Sequence, residues 1–275
     1  MSSEENRESK DQRKRLFFGM EIHAPWPPQL PKGRYLDQEH RHLTLAFLGN
    51  ILYEPLNALL MHFPKIRLSI GHTGYFDACI PLPEKHPRVI AWHAQWLEEN
   101  NTIANVQNIL SDWLISHGYS LDKRPWLPHV TLCREPFSPQ EWIDAFTQLP
   151  FYTGALHLYE SVGNLTYIPI WSYPIHAPFE EIKHVADIAF LIRGKNLEQL
   201  YYNAFTALAF KMPALTGFFK RVESFNHLDD VIIALNAIVT KADIEIGTPL
   251  KAVSFHGEVH QHKESILEWE MIVDV

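Results

Sequence analysis

Two histidine–threonine pairs stand at matching places in two similar stretches of the chain. The first word is HLTL, with His42 and Thr44, and the second is HVTL, with His129 and Thr131. A histidine titrates near neutral pH, so two histidines on opposite sides of a substrate can remove one proton and supply another. In-line cleavage of a phosphodiester needs such a base and acid, with hydrogen-bond donors at the equatorial oxygens. The threonine hydroxyls are candidates for those donors.

Arg134 follows the second word and is a candidate cation for the same phosphate. A histidine on a strand is more often a packed or surface residue than a catalyst, and this chain has 16 histidines. A site is favoured because histidine and threonine recur at the same offset in matched apolar surroundings. The alternative is an ancient duplication that preserved a core without a site.

Apolar alternation predicts a strand for each word. In residues 42–49, His42 and Thr44 face one side of the strand while Leu43 and Leu45 face the other. Similar alternation or helical spacing predicts elements at residues 15–22, 97–117, 129–135, 154–162 and 165–175. Helix and strand segments surround the two words in a similar order, which predicts an internally duplicated α+β lobe.

Composition places the chain among globular proteins. It has 275 residues, of which 46% are apolar and 20% charged, enough for one large domain or two ordinary ones. The net charge of −8 argues against nucleic-acid binding through global positive charge but leaves local basic surface open. Two cysteines, no apolar run of about 18 residues and no signal peptide predict a cytoplasmic protein without a membrane partner.

Two boundaries divide the chain. Residues 1–14 are predicted to be a disordered polar tail, and the basic RKR cluster at its end is either a solvated terminus or a phosphate contact. Residues 15–177 form the first predicted domain. Proline and charge near residues 175–181 predict a joint, and residues 178–275, with two apolar helices and several strands, form a smaller α+β domain.

The first domain closely resembles the 2H phosphoesterase superfamily, specifically the RNA 2′,3′-cyclic phosphodiesterases also called 2′-5′ RNA ligases. The matching stretches span about residues 15–176 and are RLFFGMEI, HLTLAFLG, PRVIAW, RPWLPHVTLCRE and YIPIWSYPI. The resemblance implies an α+β fold of two lobes with pseudo-twofold symmetry, antiparallel sheets flanked by helices, and a cleft between the lobes. It also implies hydrolysis of an RNA-terminal 2′,3′-cyclic phosphate to a 2′-phosphate without metal or other cofactor.

The same resemblance implies roles for five residues. His42 and His129 match the catalytic pair, Thr44 and Thr131 the phosphate-binding hydroxyls, and Arg134 an arginine that often follows the second word. The family precedent makes His42 the acid for the departing 3′ oxygen and His129 the base for water.

The second domain contains the words HVADI, GKNLEQLYYNA, KAVSFHG and the terminal VDV. With these words it resembles archease, a small protein that assists the metal-dependent RNA ligase of tRNA splicing and RNA repair. The resemblance implies an RNA ligase partner and a site for Ca²⁺ or Mg²⁺ at Asp187 and Asp274. The segment is shorter than a usual archease and lacks the acidic residue expected beside Leu235 and Asn236, so a scaffold that only docks a partner is the alternative.

Together, the two resemblances predict an enzyme of RNA end processing, with tRNA fragments as the expected substrates. One alternative is a phosphodiesterase for small cyclic nucleotides, and another is a non-catalytic adaptor of an RNA ligase. The run HGEVHQH has no helical spacing, so His260 and His262 are expected at an exposed strand end, and together with His256 they are not predicted as metal ligands.

Overall fold

The computed structural model describes residues 13–99, 101–185, 187–222, 224–255, 259–261 and 265–275. The first sheet contains β1 (Arg13–His23), β2 (Arg34–Tyr35), β3 (His42–Leu52), β4 (Thr73–Leu82), β5 (Val89–Trp96), β6 (His129–Arg134), β7 (Leu149–Gly163) and β8 (Thr166–Tyr173). Its helices are α1 (Tyr53–Leu60), α2 (Thr102–Ser116) and α3 (Pro139–Asp144).

The eight strands form one antiparallel sheet in two groups. The first group has the order β3–β1–β7–β8 and the second β6–β5–β4–β7, and β2 pairs with β6. Each group therefore has the strand of one histidine word at its end. The groups join where β3 pairs with β6 and where the long β7 pairs with β4 as well as with β1. The separate sheets that were predicted are thus one continuous sheet, because β7 has 15 residues and belongs to both groups.

The first strand starts earlier than predicted. β1 begins at Arg13, where Arg13 and Lys14 pair with Leu52 and Ile51 of β3. Lys14 also forms an ion pair of 2.6 Å with Glu160 of β7. These two residues therefore belong to the sheet and not to the tail, and residues 1–12 lie outside the described part of the chain.

Helix α2 covers the core face of the sheet. Its buried residues Ile103, Val106, Leu110 and Leu114 recur at helical spacing, and the helix packs against β3. Burial of each such side chain stabilises the fold by about 1.5–3 kcal/mol. Because Leu43 of β3 and Val130 of β6 are buried in the same core as this helix, the polar residues of both words point to the other face of the sheet.

A second sheet follows. It contains β9 (Phe179–Ile182), β10 (Ile188–Gly194), β11 (Ala252–Phe255), β12 (His260–Gln261) and β13 (Leu267–Asp274), with α4 (Leu197–Lys211) and α5 (Leu228–Ile246) beside it. The order is β11–β13–β10–β9, and β12 pairs with β13. Part of the predicted joint is therefore a strand, since β9 pairs with β10. His260 is exposed on β12 as expected, whereas His256 and His262 lie outside the described residues.

Helix α4 connects the two sheets. It packs against β10 on one side and against β7 and β4 on the other, which explains why residues 199–209 are buried on all sides. Thr73 of β4 donates a hydrogen bond of 3.2 Å to Asn203 of this helix, and Tyr152 of β7 lies 5.5 Å from the ring of Phe210. None of the helices in the described ranges is long and apolar enough to cross a membrane.

Candidate active site

The two histidine words lie on neighbouring antiparallel strands. Leu43 of β3 pairs with Val130 of β6 in antiparallel register. The histidine of each word therefore lies opposite the threonine of the other word. Leu43 and Val130 are fully buried, and the alternation of a strand therefore directs the four polar side chains to the other face. These side chains are His42, Thr44, His129 and Thr131. The pairing thus brings both predicted pairs into one patch.

Each word also carries a β-bulge at its last leucine. Leu45 is the extra residue of β3 opposite β1, and Leu132 is the extra residue of β6 opposite β5. The threonine of the first word then pairs with Gly19, and that of the second with Ala91. A Cβ atom at Gly19 would lie 3.4 Å from the imidazole of His42 and 3.1 Å from a backbone oxygen. Small residues therefore leave room beside the polar patch.

The backbone fixes the tautomer of both histidines in the same way. Nδ1 of His42 lies 2.7 Å from the carbonyl oxygen of His40, and Nδ1 of His129 lies 2.8 Å from that of Leu127. A carbonyl oxygen can only accept, so each Nδ1 carries the proton and donates it. Nε2 of each neutral ring is left as a proton acceptor. In each word, a hydrogen bond to the backbone carbonyl two residues earlier thus leaves Nε2 as the nitrogen that can accept a proton.

Burial favours the neutral form of His42. His42 is only 9% exposed, and the centroid of its ring lies 4.6 Å from that of Phe17 and 4.9 Å from that of Tyr167. This burial lowers the pKa of His42 to about 4, and the positive charges of His129 and Arg134 act in the same direction. In the free protein His42 is therefore neutral near pH 7.

His129 is half-buried and experiences the same effect. Burial lowers its pKa, and an electrostatic contribution from His93 adds to that shift. A neutral imidazole suits a general base. A histidine that acts as the acid must be protonated, and a bound anionic phosphate favours that form because opposite charges stabilise each other.

A cavity of about 410 Å³ opens beside this patch. Four of the five predicted residues line it, namely His42, Thr44, Thr131 and Arg134. His129 does not line the cavity, and its link to the site is the strand register and its effect on the pKa of His42. The cavity is also lined by residues that were not predicted as site residues, among them Arg15, Phe17, Arg34, Phe47, Leu165 and Tyr167.

The cavity wall carries three arginines. Arg15 belongs to the RKR cluster but lies on β1, with its guanidinium 5.0 Å from the ring centroid of Phe47. Strand alternation with Phe17 could have placed Arg15 on this face. Arg34 pairs with Arg134 between β2 and β6. No sequence pattern predicts the position of Arg34, because β2 is a two-residue strand after a proline-rich loop.

The two predicted metal ligands lie at one end of the second sheet. β10 and β13 pair Ile188 with Val273, and Asp187 and Asp274 are the next residues of the chain beyond that pair. The backbone N–H of Asp187 donates to His184 at 3.3 Å. Within the described ranges, no three His, Cys, Asp or Glu residues form a group that could hold a metal ion.

Two curated proteins are similar to part of the chain, although no protein-family model matches it. One is an RNA 2′,3′-cyclic phosphodiesterase of Geobacillus stearothermophilus, 28% identical over 123 residues, which cover 40% of this chain and 37% of that protein. The other is an RNA 2′,3′-cyclic phosphodiesterase of Thermotoga maritima, 26% identical over 126 residues, which cover 42% of this chain and 62% of that protein. The chain therefore spans less than two thirds of either relative.

Solved structures also align with the chain. A crystal structure of E. coli LigT complexed with 3′-AMP has 23% sequence identity and a TM-score of 0.43, and the alignment covers 59% of this chain and 98% of that one. A crystal structure of a Thermus thermophilus protein has 18% identity and a TM-score of 0.43, with coverage of 59% and 98%. Over about two fifths of its length, the chain is similar in sequence to curated RNA 2′,3′-cyclic phosphodiesterases.

Proposed function

We propose that this protein hydrolyses the 2′,3′-cyclic phosphate at an RNA end to a 2′-phosphate, with His42 and His129 as the catalytic pair. The observation that carries the proposal is the pairing of the two words at Leu43 and Val130, with both histidines held by the same Nδ1 hydrogen bond. The sequence similarity to two RNA 2′,3′-cyclic phosphodiesterases supports it independently.

In the proposed reaction, Nε2 of His129 removes a proton from water as the water oxygen bonds to phosphorus. The bond between phosphorus and the 3′ oxygen breaks, and protonated His42 delivers its proton to that oxygen. The products are a 2′-phosphate and a 3′-hydroxyl, and exchange with solvent restores both imidazoles. Thr44 and Thr131 donate hydrogen bonds to the non-bridging oxygens, and Arg134 balances their charge. No step uses a metal.

The cavity wall favours RNA over a small nucleotide. Arg15 and Arg34 extend the positive charge beyond the phosphate position, which suits further phosphates of a strand. Phe47 is 45% exposed and offers a face on which a base can stack. A cyclic mononucleotide would use fewer of these groups, so it is the second candidate substrate.

The second sheet and its helices are proposed to be an archease-like domain, residues 178–275, with residues 15–177 as the phosphodiesterase domain. The resemblance in sequence supports this assignment and, with it, an RNA ligase partner, tRNA fragments as substrates and a cytoplasmic location. Asp187 and Asp274 are the proposed ligands of Ca²⁺ or Mg²⁺ in this domain, and a scaffold that only docks the partner is the alternative.

Turnover of a short RNA that ends in a 2′,3′-cyclic phosphate tests the proposal. The full chain, with EDTA present, should produce the 2′-phosphate, which phosphatase treatment and mass spectrometry identify. Turnover of a cyclic mononucleotide but not of the RNA would favour the second candidate. Binding of the RNA without turnover of either compound would overturn the enzyme assignment and leave the adaptor.

A further inference from the structure

His93 lies directly across the sheet from His129. β5 and β6 are antiparallel neighbours, and these two residues are paired in their register. Directly opposed residues project to the same face, with Cβ atoms about 4.5–5.5 Å apart. The adjacent Trp92 and Ala94 are buried in the core, so His93 projects to the face that carries His129. A third imidazole therefore stands next to the candidate site.

A β-bulge supplies His93 with a carboxylate. In the pairing of β4 with β5, Phe76 lies opposite Ala94 and Ala78 opposite His93, which leaves Asp77 as the extra residue of β4. Bulges re-aim side chains and are frequent next to active sites. Here the bulge places Oδ1 of Asp77 at 2.7 Å from Nδ1 of His93.

This contact fixes the orientation of the His93 ring. The carboxylate accepts the proton of Nδ1, so Nε2 is directed away from Asp77. The two side chains are 26% and 34% exposed, which leaves the pair only partly screened by water. The bulge and the hydrogen bond together thus restrict an imidazole that lies beside His129.

The other half of the sheet contains a similar pair in the reverse order. Glu21 of β1 is paired with His42, and its Oε1 lies 2.9 Å from Nε2 of His157 on β7. The residue paired with His42 is a carboxylate, Glu21, whereas the residue paired with His129 is an imidazole, His93. The two histidines thus have different neighbours on the adjacent strand.

We propose that His93, held by Asp77, is a positioning residue that keeps His129 ready to act as the general base. This inference rests on the proposed function and adds to it two residues and a reason for the difference between the two histidines. The charged and titratable groups on the face around His129 are His93 on β5, with Asp77 behind it on β4, then His42 on β3 and Arg134 on β6 itself.

The electrostatic effect has a defined sign. His93 lowers the pKa of His129, in addition to the larger effect of burial. Removal of the His93 imidazole should therefore raise the pKa of His129. A larger fraction of His129 would then be protonated near neutral pH and unable to take the proton of water.

An NMR titration tests this part without reference to catalysis. The pKa of the His129 ring is measured in the wild-type chain and in His93→Gln, with Gln95→Ala on the same strand as the matched control. We expect the pKa of His129 to rise in His93→Gln and to stay unchanged in the control. An unchanged pKa in His93→Gln would overturn the proposal even if the wild type is fully active.

Kinetics test the positioning role. His93→Gln and Asp77→Ala should each lower kcat for cyclic phosphate opening about tenfold, and the double variant should lose no more than the larger single loss. The limb of the pH profile that belongs to His129 should move to higher pH in His93→Gln. Wild-type kcat and pH profile in both folded variants would contradict the inference, whereas an inactive wild type would instead contradict the proposed function.

Discussion

At the scale of single residues, His42 combines deep burial with a role that requires a change of charge. Aromatic rings pack against it, and its Nδ1 donates to the carbonyl oxygen of His40. Burial lowers its pKa to about 4, below the ordinary value of 6.5. The same feature that keeps Nε2 unprotonated in the free protein therefore makes the fold sensitive to acid.

The free energy of unfolding should decrease as the pH is lowered from about 6.5 to about 4. Between about pH 6.5 and 4 the unfolded chain binds a proton at residue 42 that the folded chain does not, so stability rises with pH there. The buried imidazole should account for up to about 3 kcal/mol of this loss on acidification. Urea unfolding of the wild type and His42→Asn at about pH 7 and about pH 4.5 measures it.

In His42→Asn the loss between the two pH values should be smaller than in the wild type. The exposed His62 provides the control, and His62→Asn should show the wild-type loss. Equal losses in the wild type and in His42→Asn would show that residue 42 does not titrate abnormally.

The threonines should contribute through their hydroxyls alone. Thr44→Val and Thr131→Val keep the shape of the side chain but remove a donor to a charged phosphate oxygen, an interaction of about 1.5–3 kcal/mol. Each variant should lower kcat/KM by about tenfold to a hundredfold. Thr240→Val, at an exposed position of α5, is the matched control. Unchanged kcat/KM in both site variants would exclude these hydroxyls from transition-state binding.

Some of the site residues could be predicted from the sequence. The repeated offset of histidine and threonine identified four side chains that the strand register brings together. Arg34 and His93 were not identified, because each becomes part of the site only through pairing with a strand distant in sequence. A cross-strand neighbour has no signature within its own stretch of chain.

At the scale of elements, the turn between β7 and β8 has an unusual residue at the cavity rim. Asn164 and Leu165 both have positive φ, 48° and 63°, as in a type I′ hairpin turn. Asparagine tolerates this conformation, whereas leucine is strained in it. Leu165 also lines the cavity. The strain is thus located at the candidate site.

Glycine at this position should separate stability from binding. Leu165→Gly removes the strain and should raise the free energy of unfolding by about 1 kcal/mol. It also removes an apolar side chain from the rim, so KM for the RNA should increase. Asn164→Gly, which relieves less strain and keeps the leucine, is the control. A less stable Leu165→Gly would show that contacts of the side chain outweigh the backbone strain.

The main strands and helices followed from periodicity, but their irregularities did not. The predicted elements at both words and at residues 97–117 correspond to β3, β6 and α2, and the two apolar helices predicted for the second domain correspond to α4 and α5. The bulges at Leu45, Leu132 and Asp77 and the short β2 have no periodic signal. A bulge depends on how two strands fit together, which a pattern along one strand does not contain.

At the scale of the whole molecule, the two sheets share helix α4. Thr73 and Asn203 are 2% and 1% exposed, and their hydrogen bond crosses from β4 to this helix. Asn203 also donates to the carbonyl oxygen of Arg193 at 2.6 Å, so the amide links both sheets. The sequence predicted two consecutive domains. Helix α4 is buried on all sides because it lies between the two sheets.

Removal of the Thr73 hydroxyl should therefore lower the free energy of unfolding of the protein. Thr73→Val leaves the amide oxygen of Asn203 without this donor in a buried position, which costs about 1–3 kcal/mol. Thermal unfolding should show a lower Tm than that of the wild type, whereas exposed Thr240→Val should stay within about 0.5 kcal/mol of it. Equal stability of the two variants would mean that the contact between the sheets does not depend on this hydrogen bond.

The central claim is that two histidines from paired strands act as one catalytic unit. Single-turnover opening of an RNA 2′,3′-cyclic phosphate by the wild type, His42→Ala, His129→Ala and the double variant tests it most directly. Each single substitution should lower the rate about 10²–10⁴-fold, and the double variant should be no slower than the slower single one. A near wild-type rate in either single variant, or losses that multiply in the double variant, would contradict the claim.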